Sequence, residues 1–87
     1  MRETPRLDDR RIPIDKIYVP TKRRTTLDPA KVVSLAEDIL DQGQRTPILV
    51  RADGARFVLV EGLHRLEAVR SLGETTILAL LVQARLS

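Results

Sequence analysis

Four consecutive residues, Gly62-Leu63-His64-Arg65, combine side chains and a chain position that suit phosphate binding. They follow an apolar run, residues 57–60, that predicts a buried strand, and they precede apolar residues at helical spacing. A helix that begins here presents free backbone N–H groups and the positive end of its dipole. With His64 and Arg65 in the first helical turn, the sequence predicts a phosphate-binding segment, which we call the 62–65 turn.

Each residue of the 62–65 turn also has a purely structural interpretation. Gly62 satisfies a tight strand-to-helix turn by itself. Arg65 could form a salt bridge to Glu61 or Glu67, although a cation is unfavourable near the positive end of a helix dipole. His64 could contact phosphate or merely cap the helix and pack, and it is a weak candidate for a general acid or base. Glu61 is a weak candidate for a nucleotide-bound Mg²⁺, and the alternative is an exposed carboxylate at a strand end.

The composition describes one small domain and excludes several kinds of site. The chain has 87 residues, of which 43% are hydrophobic and 31% charged, and it has no cysteine. Disulfides, thiolate metal sites and cysteine nucleophiles are therefore excluded, and a single histidine argues against structural zinc. The scarcity of aromatic residues, Tyr18 and Phe57, argues against a base-stacking surface. Since no segment resembles a membrane span or signal peptide, we expect a cytoplasmic protein without membrane contact.

Positive charge is concentrated in the first quarter of the chain. The net charge is +3, and the 15 basic residues include only three lysines. A basic end suits an anionic partner, either a nucleotide or a nucleic acid. We expect residues 1–11 to form a flexible basic tail and residues 12–87 to form a single domain. For residues 1–10 the alternative to binding an anion is a merely solvated, partly disordered tail. The basic residues concerned are Arg2, Arg6, Arg10, Arg11, Lys16, Lys22, Arg23 and Arg24.

The order of predicted elements is strand, helix, hairpin, helix, strand. Asp28 followed by Pro29 predicts the start of the first helix, and Gly43 and Gly73 predict the ends of the two helices. This order indicates an α+β fold, a small mixed sheet with two main helices. The apolar final strand leaves room for a homodimer through a sheet edge. The predicted ranges are a broken strand at 12–19, a loop at 21–27, helices at 29–42 and 62–72, a hairpin at 47–60 turning at 52–55, and a strand at 75–82.

Three stretches together resemble the ParB/sulfiredoxin superfamily, the fold of the N-terminal domain of ParB chromosome-partition proteins. Residues 24–28 (Arg-Thr-Thr-Leu-Asp) resemble the stretch that opens the family's first helix. Residues 43–50 (Gly-Gln-Arg-Thr-Pro-Ile-Leu-Val) resemble its passage from helix to strand, and residues 60–65 (Val-Glu-Gly-Leu-His-Arg) its phosphate motif. The resemblance covers residues 12–83.

This resemblance implies a nucleotide-binding or partner-binding module, for which the candidate cofactor is a nucleoside triphosphate with Mg²⁺ and the alternative is no cofactor. It also implies further contacts with the nucleotide. Arg24 would be a second phosphate clamp, for which the alternative is a solvated loop charge. Thr46 and Gln44 would lie near the 62–65 turn if the hairpin packs beside the second helix.

The departures from the family pattern argue against catalysis. Leu63 occupies the position at which the similar motif has a cysteine in sulfiredoxins and a glutamate in ParB proteins. The related free-serine kinases have a catalytic glutamate in an earlier loop, whereas residues 21–27 contain no acid. No helix-turn-helix or dimerisation domain is visible either, so we expect a stand-alone, bacterial ParB-like module that binds nucleotide phosphate without catalysis, as a partition or regulatory accessory. The alternatives are a DNA-binding protein that uses the basic N-terminal region and a small-molecule phosphotransferase.

Overall fold

The structure is a computed structural model and describes residues 9–82. Within that range five strands form one mixed sheet, and three α-helices and one 3₁₀ turn connect them. The α+β prediction is confirmed. The strands are β1 (Asp9–Pro13), β2 (Ile17–Tyr18), β3 (Ile48–Asp53), β4 (Arg56–Glu61) and β5 (Thr76–Leu81); the helices are α1 (Thr21–Arg24), α2 (Pro29–Gln42) and α3 (Leu63–Ser71), and the 3₁₀ turn is Ile14–Lys16.

The strand order places the final strand in the middle of the sheet rather than at its edge. The order is β1-β5-β3-β4-β2, with β5 antiparallel to β1 and parallel to β3. Because both sides of β5 are paired, this strand offers no sheet edge to a second copy, so its expected edge position was wrong. A homodimer through another surface stays a prediction. The edges of the described sheet are β1 and the two-residue β2.

The first strand begins earlier than the sequence analysis placed it. Asp9, Arg10 and Arg11 pair with Leu80, Ala79 and Leu78 of β5. The predicted boundary after residue 11 therefore lies inside β1, whose only buried residue, Ile12, gave too weak an apolar signal. The break predicted at residues 13–15 is present as the 3₁₀ turn. The rest of the predicted tail, residues 1–8, lies outside the described residues.

A short helix occupies the segment predicted as a loop. α1 begins after Pro20, and its end is marked by two hydroxyl groups that donate to its last carbonyls. Thr25 Oγ1 donates to the Lys22 carbonyl and Thr26 Oγ1 to the Arg23 carbonyl, both at 2.8 Å. Four residues are too few to show a helical period, so the sequence pattern could not reveal this turn.

Helix α2 has the boundaries that its capping residues predict. The Asp28 carboxylate accepts a hydrogen bond from the Ala30 backbone N–H at 3.0 Å, and Pro29 occupies the first helical position. At the other end Gly43 has a positive φ of 79° and donates its N–H to the Ile39 carbonyl. These local interactions define both ends of the helix without help from the sheet.

A β-bulge in the hairpin sets the direction in which the chain leaves β4. The strands are joined by Gly54 and Ala55, a turn shorter than the predicted 52–55. Toward the other end the register shifts, because Leu49 pairs with Glu61 while Val50 pairs with Leu59. A bulge of this kind bends the strand and redirects its last side chains. Glu61 is consequently exposed at the point where β4 turns into α3.

Helix α3 lies between the sheet and α2. Its buried residues point in several directions around the helix, which is expected when both of its sides are covered. α2 packs mainly on α3 and is largely exposed on its far side. The core that results is aliphatic, and it includes Ile12, Ile48, Val50, Leu59, Leu63, Leu66, Val69 and Ile77.

Gly62, at the start of α3, lies in close contact with Ile48 of the sheet. Its φ is +114°, and a Cβ added there would lie 2.7 Å from Ile48 Cγ2 and 3.2 Å from Ile48 Cα. Ile48 is itself buried at the start of β3 and cannot move aside easily. Both the backbone conformation and the available space therefore require glycine.

We expect the Gly62→Ala variant to lose roughly 2–4 kcal/mol of unfolding free energy, from backbone strain and overpacking together. The matched control is Gly54→Ala, which has a φ of +63° but open space around its Cβ. It should lose about 1 kcal/mol from strain alone. Urea denaturation of both variants checks this, and equal losses would show that the contact with Ile48 is unimportant.

Candidate functional site

The first turn of α3 has backbone donors without a partner among the described residues. The first intrahelical bond of α3 runs from the Leu66 N–H to the Gly62 carbonyl at 2.9 Å, and within residues 9–82 no side chain caps the helix. The N–H groups of Leu63, His64 and Arg65 precede that bond and are directed out of the helix end. An anion at this point would meet hydrogen-bond donors and the positive end of the helix dipole together.

His64 joins the beginnings of α3 and α2. The Asp28 backbone N–H donates to His64 Nε2 at 2.9 Å. Since a backbone N–H can only donate, Nε2 carries no proton in this arrangement, and a neutral imidazole has its proton on Nδ1. Of the three roles predicted for His64, the geometry supports capping and packing most directly. Its Nδ1–H is left as a donor.

A groove of about 360 Å³ lies beside the 62–65 turn. Two guanidinium groups and one carboxylate line it, so its charge balance favours an anion. It brings together five of the predicted site residues, counting Glu61. Arg23, predicted only as part of the basic N-terminal quarter, lies with them, as do Thr26 and Leu35. The complete lining is Arg23, Thr26, Leu35, Glu61, Gly62, Leu63, His64 and Arg65.

Arg65 is one of the cations that have no ion-pair partner within the described residues, and it is distinguished by its position in the first turn of a helix. It is half-buried in the first turn of α3, and no ion pair within residues 9–82 includes it. Glu67, one of the acids considered as its partner, instead lies 3.5 Å from Arg70 Nε. A guanidinium at the positive end of a helix, without an acid, is unfavourable by itself and is relieved by a bound anion.

Arg24 lies on the other side of Leu63 from the groove. Its Nε donates to the Val19 carbonyl at 3.2 Å, and it lines a separate cavity of about 580 Å³. The neighbouring Arg23 lines the groove instead. Because α1 rotates consecutive residues by about 100°, adjacent arginines face different cavities. The loop predicted for residues 21–27 does not define which of the two arginines faces the groove.

Gln44 and Thr46 are not brought to the groove. The Gln44 side-chain amide accepts from the Leu78 N–H at 2.8 Å and donates to the Leu78 and Thr46 carbonyls at 2.9 and 3.0 Å. It extends the pairing of β3 with β5 by one position, so its contacts are structural. Thr46 is exposed in the same connection and does not line the groove.

The described residues offer little to hold a metal ion directly. Among residues 9–82, no group of three or more histidine, cysteine, aspartate or glutamate side chains is close enough to form a metal site. Glu61 is the only carboxylate among the described residues that line the groove, so an Mg²⁺ ion would have to arrive with its nucleotide.

Across residues 9–82, no helix has the length and apolar character needed to cross a bilayer.

We expect the neutral imidazole of His64 to carry its proton on Nδ1, because Nε2 accepts from Asp28. Long-range ¹H–¹⁵N NMR spectra distinguish the two tautomers. The His64→Ala variant should lose about 1 kcal/mol of stability and show faster hydrogen exchange at the Asp28 amide. An Nε2-protonated ring, or unchanged exchange at Asp28, would contradict the observed hydrogen bond.

Comparison with known proteins supports the resemblance seen in the sequence. Residues 2–86 match the family of the ParB N-terminal domain. A search of curated protein sequences found no match. Among solved structures, sulfiredoxin from Arabidopsis thaliana is similar, with a TM-score of 0.79 and 30% identity over 87% of this chain and 85% of that one.

Two nucleotide complexes of other proteins share the fold. The chromosome-partitioning protein ParB from Caulobacter crescentus, C-terminally truncated and complexed with CTP-gamma-S, has a TM-score of 0.76 and 25% identity over 88% of this chain and 45% of that one. A mutant free serine kinase in complex with ADP has a TM-score of 0.75 and 20% identity over 91% and 33%. The chain thus spans less than half of either protein. Since the sequence match extends over nearly all of the chain and the fold agrees, this chain belongs to the ParB N-terminal domain family, within the ParB/sulfiredoxin superfamily.

Proposed function

We propose that this protein is a nucleotide-binding module that holds the phosphates of a nucleoside triphosphate in the groove beside the 62–65 turn. The observation that carries the proposal is the uncapped start of α3, where the half-buried Arg65 has no acidic partner within the described residues. The free N–H groups of the turn, with Arg65 and Arg23, would contact phosphate oxygens. The ParB and kinase relatives, solved with CTP-gamma-S and ADP, support a nucleotide as the ligand.

The groove supports binding without catalysis. Leu63 is buried, and it occupies the position where the resemblance places the reactive cysteine of sulfiredoxins or the glutamate of ParB. Its apolar side chain can neither activate water nor attack phosphorus. The His64 imidazole is held by Asp28 through the nitrogen that would serve as a base. We propose a regulatory or partition-accessory role in which the bound nucleotide is the signal.

Nucleotide titration tests the proposal directly. We expect calorimetry or NMR with CTP, ATP, GTP and ADP, each with Mg²⁺, to show saturable binding of at least one of them. The Arg65→Ala variant should bind about 10- to 100-fold more weakly, since it loses charge-assisted hydrogen bonds. Arg23→Ala should weaken binding more than Arg24→Ala, because only Arg23 lines the groove.

The matched control for this titration is Arg51→Ala, which removes an exposed arginine on β3, away from the groove. Its nucleotide affinity should equal that of the unmodified protein. The proposal fails if none of the four nucleotides binds at millimolar concentration, or if Arg65→Ala and Arg51→Ala bind equally well.

One observation keeps a phosphotransferase activity as the second candidate. Glu61 lines the groove together with His64, so the site does contain a carboxylate although residues 21–27 have none. In an assay of phosphate release or transfer we expect no turnover above background. Turnover that Glu61→Gln or His64→Ala abolishes would establish the activity.

The DNA-binding alternative rests on charge alone. It predicts that the affinity for DNA falls steeply with salt.

A further inference from the structure

The side of α2 that faces away from the nucleotide groove has exposed aliphatic side chains. Leu40, near the C-terminal end, is 75% exposed, and Val33, in the N-terminal half, is 57% exposed. They are seven residues apart and therefore lie on the same side of the helix. Beside Leu40 a cavity of about 390 Å³ opens between α2 and the end of α3, with Ile39 and Leu72 in its lining. This region, which we call the α2–α3 face, has no covering element within residues 9–82.

Acidic side chains border the α2–α3 face. Glu37 and Asp41 are one turn apart on α2, next to Val33 and Leu40, and Glu74 lines the cavity from the other side. None of these three acids is in an ion pair within the described residues. The last turn of α2 has no basic residue either. Acids near the C-terminal end of a helix face the negative end of its dipole, which is unfavourable without a nearby cation.

Two bases lie near this face and offset part of its negative charge, but the three acids outnumber them. Arg11 lines the cavity and donates from Nε to the Thr76 hydroxyl at 3.4 Å. Arg45 follows the end of α2 and is exposed, with no ion pair in the described part of the chain. The face therefore combines an exposed apolar ridge with acids that lack partners. Both features cost free energy in the isolated protein, and one partner could relieve both.

We infer that the α2–α3 face is a docking surface for an amphipathic helix of another protein, one whose apolar residues are flanked by lysine or arginine. Aliphatic side chains of such a helix would cover Val33 and Leu40 and enter the cavity beside Leu72. Its flanking cations would meet Glu37, Asp41 and Glu74. Helices that lay an apolar stripe into a groove are a common mode of peptide recognition, and complementary charge selects the partner.

The charge of the face argues against other occupants. A second copy of this chain, packed about a two-fold axis, would bring the same carboxylates of Glu37 and Asp41 near one another. Nucleic acid and anionic lipid surfaces would be repelled by the same groups. A basic polypeptide is the occupant whose charge complements the face.

The docking surface and the nucleotide groove lie on different sides of α2. Leu40 is twelve residues from Asp28, about 18 Å along the helix, and Val33 is two residues before Leu35, which lines the groove, so the two side chains face opposite sides of α2. The two surfaces can therefore be occupied at the same time. A partner bound at Leu40 would not cover the 62–65 turn, so its binding can be tested with or without nucleotide.

A pair of synthetic peptides tests this inference. Both are 14-residue helix-forming peptides with leucines at helical spacing; one has lysines flanking the leucine stripe and the other has glutamates. Added to the full ¹⁵N-labelled chain, the lysine peptide should bind saturably and shift the amide signals of α2 after Val33 and of residues 72–74. The glutamate peptide should bind at least about tenfold more weakly, because it repels the bordering acids.

Variants separate the apolar and the charged parts of the surface. Leu40→Ser should weaken the lysine peptide about tenfold through lost apolar burial. Glu37→Lys with Asp41→Lys should reverse the preference between the two peptides. The control is Leu27→Ser, which alters an exposed leucine, 40% accessible, outside the face and should change nothing. Circular dichroism confirms that each variant is folded.

Three results would overturn the inference. One is equal affinity for the two peptides, and another is a set of shifted signals outside the α2–α3 face. The third is self-association of the free protein in sedimentation that Leu40→Ser abolishes, which would assign the face to a second copy. Since the peptides need no nucleotide, the inference can fail while the proposed function holds, and the reverse is also true.

Discussion

The close approach of Gly62 to Ile48 is the contact on which the site depends. With 2.7 Å between a Cβ at position 62 and Ile48 Cγ2, α3 can begin only if residue 62 has no side chain. The contact holds the uncapped end of α3 against the first residue of β3. It also explains why two of the family-like stretches, residues 43–50 and 60–65, occur together, because they meet in space. From there the hydrogen bond between His64 and Asp28 extends the arrangement to α2.

Elements with local determinants were predictable from the sequence. α2 begins at an aspartate cap followed by proline and ends at Gly43, and each of those interactions involves neighbouring residues only. The errors concern segments that pair with distant residues and segments that are too short to show a sequence pattern. α1 is a single turn, and the first part of β1 is a strand because Asp9 to Arg11 pair with β5. The interior position of β5 is a property of topology, which apolarity alone does not define.

Side-chain placement was harder to predict than residue type. An arginine ahead of α2 was expected near phosphate, but the one-turn helix directs Arg23 to the groove and fixes Arg24 on the Val19 carbonyl. Gln44 was considered as a ligand for nucleotide, and its amide is instead engaged by Leu78 and Thr46. Both outcomes depend on backbone groups that come close only in the folded chain, and a sequence pattern does not encode those distances.

The start of α3 and the end of α2 each have a side chain whose charge has the same sign as the adjacent end of the helix dipole. A cation, Arg65, lies at the positive end of the α3 dipole, and an acid, Asp41, lies at the negative end of the α2 dipole. Folding alone favours neither arrangement, since each raises the free energy of the isolated domain. Elsewhere the chain follows local rules closely, as the caps of α2 show. Departures of this kind concentrate where a binding partner offsets their cost. Both proposed ligands would remove such a penalty, because the nucleotide phosphate would bring negative charge to the start of α3 and the basic helix would bring positive charge to the end of α2.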